Sequence, residues 1–214
     1  RIAGMLADKD RMLGAVGHDL RTPLASLRVR VEQVDDERLR DKMIASIDEM
    51  TAMLIDILAL ARAGAGTEVP AHMDLGTLIT GLAADYREQG RDVTVAAVEP
   101  AVAVARPMLL RRAVRNLVDN ALAYGVRARL TVTAAGAEAR IIVSDDGPGL
   151  TDEQIRTLIE PFARGEESRN RATGGTGLGL SIARDIAEGE GGSLFLTGRA
   201  GGGLDAVVVL PIAP

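Results

Sequence analysis

The sequence predicts an α+β chain, in which a helical hairpin pairs with a second copy as a dimeric four-helix bundle and an α/β sandwich follows. Three observations predict it. Leu13, Leu20, Leu27 and Val34 recur every seven residues, while Gly17, Leu24 and Val31 fill the other seam position, the alternation of a coiled coil. Met43, Ile47, Met50, Leu54, Ile57 and Ala61 repeat at steps of four and three, and Ile44, Ile55 and Leu58 widen that stripe beyond a two-helix seam. After Asp74, helical periods alternate with short runs of period two, in an order that is neither strict βαβ repetition nor all-β.

The first helix is expected from Arg1 to about Val34. Asp35-Asp36-Glu37 is a polar break, and a second helix follows to about Ala63. So short a connection makes the two helices antiparallel neighbours. One hairpin cannot cover the wide stripe, so two hairpins are expected to pair; cover by the second domain is the alternative. Gly64-Ala65-Gly66-Thr67 ends the periodicity. The chain therefore divides into a hairpin at 1–64, a linker at 65–73 and a second domain at 74–214. His72 has no acid or metal-ligand neighbour at useful spacing and reads as a boundary residue without function.

Asp74 is placed to N-cap a helix from Leu75 to Gln89. Val93–Val95 and Val102–Val104 read as short strands, and Pro107 opens a helix to Tyr124. Arg129–Thr133 and Arg140–Ser144 alternate as strands joined through Ala135-Gly136. Thr151 starts a helix with Glu153 and Gln154 in its first turn. Arg164 to Gly175 is polar and without period, a loop. Gly177–Glu188 is helical, and Ser193–Thr197 with Leu204–Leu210 form a closing pair of strands. Helices on one face of a mixed sheet fit this order.

Composition narrows the chemistry. Apolar residues make up 47% of the chain but aromatics only 2%, so the core must be built from Ala, Val, Leu, Ile and Met. The absence of cysteine excludes disulfides, thiolate zinc sites and a cysteine nucleophile. A net charge of −5, with both signs interspersed, leaves no footprint for nucleic acid. No apolar run is long enough to span a bilayer. With no signal peptide and Arg1 at its start, the sequence reads as a fragment whose membrane anchor, if any, lies upstream.

Gly17-His18-Asp19-Leu20-Arg21-Thr22-Pro23 concentrates reactive groups. His18 follows a seam position, so it sits on the helix shoulder; a merely solvated histidine is the plain alternative. Pro23 has no N–H, which deprives the Asp19 carbonyl of its helical donor, predicts a kink at or just after His18, and costs roughly 3 kcal/mol. Imidazole is neutral near pH 7 and nucleophilic at one nitrogen while the other bonds a carboxylate, for which Asp19 is adjacent. Thr22 lies one turn after His18 on roughly the same face; a local bond from its hydroxyl to the His18 carbonyl is the alternative. With His, acid and Leu-Arg-Thr-Pro-Leu matched without a gap, the segment resembles the phosphoacceptor box of sensor histidine kinases.

Four further boxes point to a nucleotide. Asn116 and Asn120 are four apart, so their amides share one face, and carboxamide oxygens are hard ligands suited to Mg²⁺. Asp145-Asp146-Gly147-Pro148-Gly149 ends an apolar strand; its first carboxylate can accept from an exocyclic amine, and Gly147 and Gly149 let backbone approach a flat ring. Pro161-Phe162-Ala163-Arg164 begins the polar loop. Gly174-Gly175-Thr176-Gly177-Leu178-Gly179-Leu180 ends it and opens a helix whose N-terminus presents N–H groups to phosphate. No Lys-Ser/Thr follows these glycines, so this is not a Walker loop. Taken singly, the boxes have bland readings as a helix surface, a tight turn and a hinge.

In this order the boxes resemble the catalytic ATP-binding domain of histidine kinases, so the resemblance covers about residues 8 to 212. Gyrase, mismatch-repair and chaperone ATPases share the wider fold but lack an upstream phosphoacceptor hairpin. The resemblance implies ATP and Mg²⁺, with Asn120 holding the metal and Asn116 helping at the metal or phosphates. It places Asp145 on the adenine amine, with Gly147 and Gly149 in its turn, Tyr124 beside the base, and Phe162 and Arg164 in the nucleotide loop. Gly175, Thr176, Gly177, Leu178 and Gly179 would wrap the phosphates. Ala123 departs from the family where a basic residue is usual, as does Glu190 where histidine is common. The implied activity is ATP-dependent autophosphorylation of His18 with Asp19 as general base, then transfer to an aspartate of a response regulator receiver domain. Thr22 would position water to remove that phosphate. The expected setting is the cytoplasmic portion of an inner-membrane-anchored homodimer. Two alternatives are a phosphatase-biased or non-catalytic docking module with a degenerate ATP site, and a plain ATPase.

Overall fold

A computed structural model describes residues 2–62, 68–151, 153–155 and 178–213. Two helices, α1 (Ile2–Val31) and α2 (Glu37–Arg62), form the hairpin, and α1 runs on through Pro23. Helix α1 stops a turn before the expected Val34, because the chain tightens there: the Val34 amide donates back to the Val31 carbonyl at 3.0 Å. Asp36 then caps α2 by accepting from the Leu39 amide at 3.1 Å. Arg28 and Asp48 form an ion pair across the two helices. Val31, Ile47 and Leu54 are buried within one chain, but Leu20, Leu27, Met43 and Met50 remain 38–45% exposed. An apolar stripe is thus left uncovered, as its width in the sequence predicts. The side chains of Leu13, Ile55, Ile57, Leu58 and Ala61 lie outside the described residues. Among the described residues no helix is long and apolar enough to cross a membrane.

The second domain runs β1 (Ala71–Asp74), α3 (Leu75–Glu88), β2 (Val93–Val98), β3 (Val102–Ala105), α4 (Pro107–Tyr124), β4 (Ala128–Ala135), β5 (Glu138–Asp145), α5 (Gly179–Gly189), β6 (Ser193–Gly198) and β7 (Leu204–Pro211). Five strands form a mixed sheet in the order β2-β4-β5-β7-β6, with β2 parallel to β4 and the other pairs antiparallel. Period two decides the faces. Ala128, Leu130 and Val132, Ala139, Ile141 and Val143, and Ala206, Val208 and Leu210 are buried on one side. Against them α3 brings Ile79 and Leu82, α4 brings Leu110 and Leu117, and α5 brings Ile182 and Ile186. The opposite face carries the cross-strand row Thr131, Ile142, Val207 and Phe195, with Phe195 exposed. Helices cover one face of a mixed sheet, as expected.

Two elements differ from expectation. Residues 71–73, read from sequence as linker, extend into β1, which pairs antiparallel with β3 so that His72 stands opposite Val104. Strand β3 therefore belongs to a separate two-stranded sheet. Strand β2 continues to Val98 past an irregularity at Val95–Ala97. Asp74 does cap α3, accepting from the Thr77 amide at 2.6 Å. Thr151 and Gln154 exchange the reciprocal bonds of a capping box at 3.3 and 2.8 Å. The linker glycines, the loop expected at 164–175 and the helix expected beyond Ile155 fall outside the described residues.

Candidate nucleotide site

Helix α4 is the spine of the site. Asn116, Asn120 and Tyr124 are successive members of one i, i+4 row, which runs about 12 Å along the helix. At the Asn116 end the row meets the start of α5, where the Asn116 amide nitrogen donates to the Gly179 carbonyl at 3.3 Å. Its side-chain oxygen is left over as an acceptor. Asn120 is half-buried, and its side chain makes no hydrogen bond among the described residues. At the Tyr124 end the row meets the turn after β5. Gly147 lies so close there that a Cβ would stand 2.8 Å from the Tyr124 carbonyl oxygen. Tyr124 itself is partly exposed beside that turn.

Asp145 is 5% exposed, and one of its oxygens is already engaged. Oδ1 accepts from the amides of Gly147 at 2.8 Å and Leu204 at 3.1 Å. Oδ2 has no partner among the described residues, so the carboxylate keeps one acceptor for an outside donor such as an exocyclic amine. Burial pushes its pKa up, against the two amide bonds, which pull it down.

Neighbours fix this turn from three sides. Asp146 Oδ1 accepts from the amides of Val126 and Arg127 at 2.9 and 3.3 Å, and Arg127 pairs with its other oxygen at 2.9 Å. The bond from Val126 is the main reason the Asp146 carboxyl lies below the usual range. Arg199 donates to the Asp145 carbonyl at 2.7 Å. Gly203, at φ +90°, presses so near that a Cβ there would lie 2.2 Å from that same carbonyl oxygen. Sequence reasoning missed Asp146, Arg199 and Gly203 as parts of the site. Three consecutive glycines, Gly201 to Gly203, are the signal that could have found the last of them.

Glu190 is the other unexpected participant. Its side chain is 3% exposed and grips Arg106 at the head of α4, accepting from the main-chain N–H at 3.0 Å and from Nε at 2.6 Å. Arg106 Nη2 also donates to the Gly189 carbonyl at 3.1 Å.

The structure thus brings Asn116, Asn120, Tyr124, Asp145, Gly147, Gly149, Leu178 and Gly179 to one side of the domain. Phe162, Arg164, Gly175, Thr176 and Gly177 lie outside the described residues. His18 sits in α1, with its side chain outside them too, while Asp19 and Thr22 are exposed on the same helix. Ala123 is exposed and supplies no cation. A carboxylate acceptor at one end, two amides in the middle and a helix N-terminus at the other suit a molecule with an amino-bearing ring and a phosphate tail. The oxygens left on Asn116 and Asn120 fit Mg²⁺, a hard cation that takes oxygen ligands and shares phosphates.

Two protein-family descriptions match the chain: "Histidine kinase-, DNA gyrase B-, and HSP90-like ATPase" over residues 105–214, and "His Kinase A (phospho-acceptor) domain" over residues 8–66. It is 38% identical over 213 residues to sensor histidine kinase GtrS of Pseudomonas aeruginosa, a match covering 99% of this chain and 44% of that protein. It is 33% identical over 202 residues to sensor protein RstB of Escherichia coli, covering 90% of this chain and 46% of that one. The chain thus spans less than half the length of these relatives. Among solved structures, full-length ShkA in complex with AMPPNP aligns over 95% of this chain and 46% of its own, with a TM-score of 0.73 at 24% identity, a likeness of fold. The NMR structure of the histidine kinase domain of the E. coli osmosensor EnvZ aligns over 70% of this chain and 93% of its own, with a TM-score of 0.54 at 32% identity.

Proposed function

The chain belongs to the sensor histidine kinases of two-component signalling, and from that premise we propose that its ATP-binding domain serves to phosphorylate His18. The observation that carries the reading is the joining, in one chain, of a His-acid-x-x-Thr-Pro helix to a site whose carboxylate, paired amides and helix N-terminus follow one line. Asp145 Oδ2 takes the adenine amine. Tyr124 lies beside the base. Asn116 and Asn120 face the triphosphate, and the amides at Leu178 and Gly179 face its charged end, completed by Gly175, Thr176 and Gly177. Gly147 and Gly149 shape the adenine turn, while Phe162 and Arg164, outside the described residues, are assigned to nucleotide binding.

A ring nitrogen of His18 forms the new N–P bond as the bond from the γ-phosphorus to ADP breaks. Asp19 holds the imidazole's other N–H and, as general base, accepts that proton as positive charge develops on the ring. Asn120, helped by Asn116, would hold Mg²⁺, which when bound supplies neutralisation of the phosphate charge. The phosphoryl group then passes to an aspartate of a response regulator receiver domain. Thr22, one turn from His18, orients water for its later removal. The protein acts as a homodimer, which would cover Leu20, Leu27, Met43 and Met50. It works on the cytoplasmic side of a membrane that it reaches only through a segment outside these residues.

Incubation with γ-labelled ATP tests the reading. Wild type should acquire acid-labile, base-stable label, and His18→Ala should acquire none while binding ATP with nearly unchanged affinity. Label persisting in His18→Ala, for example on His72, would overturn the assignment. Asn120→Ala should remain folded yet lose Mg²⁺-dependent ATP binding. Thr22→Ala should keep autophosphorylation while dephosphorylation of the phospho-regulator drops by about tenfold. A second reading, a docking module with a degenerate ATP site, draws on Ala123, which offers no cation to phosphate; it predicts no label on wild type.

A further inference from the structure

Helices α4 and α5 run antiparallel, and two polar ties join them, one at each end of α5. Asn116 bonds the Gly179 carbonyl at one end, and Arg106 bonds Glu190 and the Gly189 carbonyl at the other. From Arg106 to Asn116 is ten residues on α4, and from Gly179 to Glu190 is eleven on α5, so each span is about 15–17 Å. The apolar residues between the ties, such as Ala113, Leu117, Ala183 and Ile186, belong to the common core. Interdigitated apolar side chains favour a set of registers between two helices, but burial itself is non-directional and discriminates weakly among small slides along the axis. Hydrogen-bonded charges do specify that distance.

We propose that Glu190 is a positioning residue for the triphosphate: by gripping Arg106 it sets how far α5 slides along α4, and so where the amides of Leu178 and Gly179 stand against Asn116 and Asn120. The inference rests on the reading of this site as an ATP site. The geometry separates the two halves of that site. Asp145 and its turn are braced by Asp146, Arg199 and Gly203, none of which belongs to α5. Loss of the clamp therefore displaces the phosphate end and leaves the adenine end alone. The grip is close to complete, since both Glu190 oxygens accept from Arg106 and the carboxylate is 3% exposed.

The test compares a ligand with phosphates and one without. Binding of Mg²⁺-ATP and of adenosine to the full chain is measured by calorimetry for wild type, Glu190→Gln and Arg106→Lys, well below each unfolding midpoint. Glu190→Gln keeps the shape but loses the charge; Arg106→Lys keeps the charge but loses the fork to the Gly189 carbonyl, and serves if the first variant does not fold. The proposal expects ATP affinity to fall roughly tenfold in a folded variant while adenosine affinity stays within about twofold. It also expects the Glu190→Gln, Arg106→Lys double variant to lose little more than either single one. Unchanged affinity for both ligands, with only the unfolding midpoint lowered, would make the pair a stabilising contact and overturn the proposal. Equal loss for ATP and adenosine would overturn it too. Wild type that binds neither ligand overturns the ATP reading itself, which is a distinct result.

Discussion

The hydroxyl of Tyr86 on α3 donates to the carboxylate of Asp119 on α4, the residue directly before Asn120. Tyr86 is 5% exposed, and its pKa is raised first by burial and then by that carboxylate. The bond fixes the rotation of α4 about its own axis from the side opposite α5. Tyr86→Phe removes it while keeping the ring in the core. Asp119 is half-exposed and can take a water instead, so the expected loss is about 1 kcal/mol of stability, read as a lower urea midpoint at unchanged slope. An unchanged midpoint would show that the bond contributes nothing net.

Asp145 gives a prediction with a sign in pH. Its folded pKa is raised above the unfolded value, so the folded state binds more protons between the two. Its contribution to stability therefore falls as pH rises through that window and improves on acidification. Nucleotide binding has the opposite dependence, because a proton on Oδ2 would turn the one oxygen left for the amine from an acceptor into a donor. ATP affinity should fall on acidification at a pH above that of an ordinary aspartate, while the apo domain is not destabilised by this group. Isothermal titrations across pH 4 to 7 check it, and affinity flat over that whole range would contradict it.

Asp145→Asn separates fold from recognition. An asparagine oxygen still accepts from Gly147 and Leu204, but its nitrogen then faces the open side as a donor. The domain should stay folded by circular dichroism while ATP affinity falls by at least tenfold, since two donors would then oppose each other. Retained affinity would place the adenine elsewhere.

Met50 on α2 is 44% exposed and apolar, whereas Leu54 is already covered within a single chain. Met50→Arg therefore tests the dimer without burying a charge in the hairpin itself. Sedimentation should show wild type as a dimer and the variant as a folded monomer; placing an unpaired charge in the interface costs several kcal/mol of association. Wild type that is monomeric at micromolar concentration would rule out the four-helix bundle.

Gly203→Ala forces a Cβ onto the Asp145 carbonyl at a positive φ. Something must shift, and the turn that orients Asp145 is what it meets. Stability should fall by about 2 kcal/mol or more, with ATP binding weakened alongside. Gly136→Ala makes the contrast: its φ is also positive, but open space surrounds it, so the cost should be only about 1 kcal/mol and ATP binding should be spared.

Where the sequence was informative, the signal was local. Pro107 at a helix start, the Asn116–Asn120 spacing, and the alternation in β4, β5 and β7 all follow from neighbours within a few residues. Strand β1 escaped because it pairs only with β3, and of its four residues only Met73 is half-buried, so Ala-His-Met-Asp has no alternation to read. Glu190 looks in the sequence like a mere departure from its family. Its meaning depends on Arg106, 84 residues earlier, and no local pattern links them. Gly203 is similar: three glycines in a row announce freedom of backbone, but not which carbonyl presses against them. Distances between remote segments are set by the packed core, and that is the part a linear reading does not reach.

Helix α1 passes through Pro23 unbroken, which means the ladder of main-chain bonds has a missing rung at the Asp19 carbonyl. A rod yields where its internal ties are fewest. Bending at that turn works against one hydrogen bond fewer than bending elsewhere in the helix interior, because the Asp19 carbonyl has no donor to lose. Torque or tilt carried along α1 therefore collects as a change of angle across residues 18–23. The proline is a compliance set into a stiff shaft, and it lies on the very turn that bears His18.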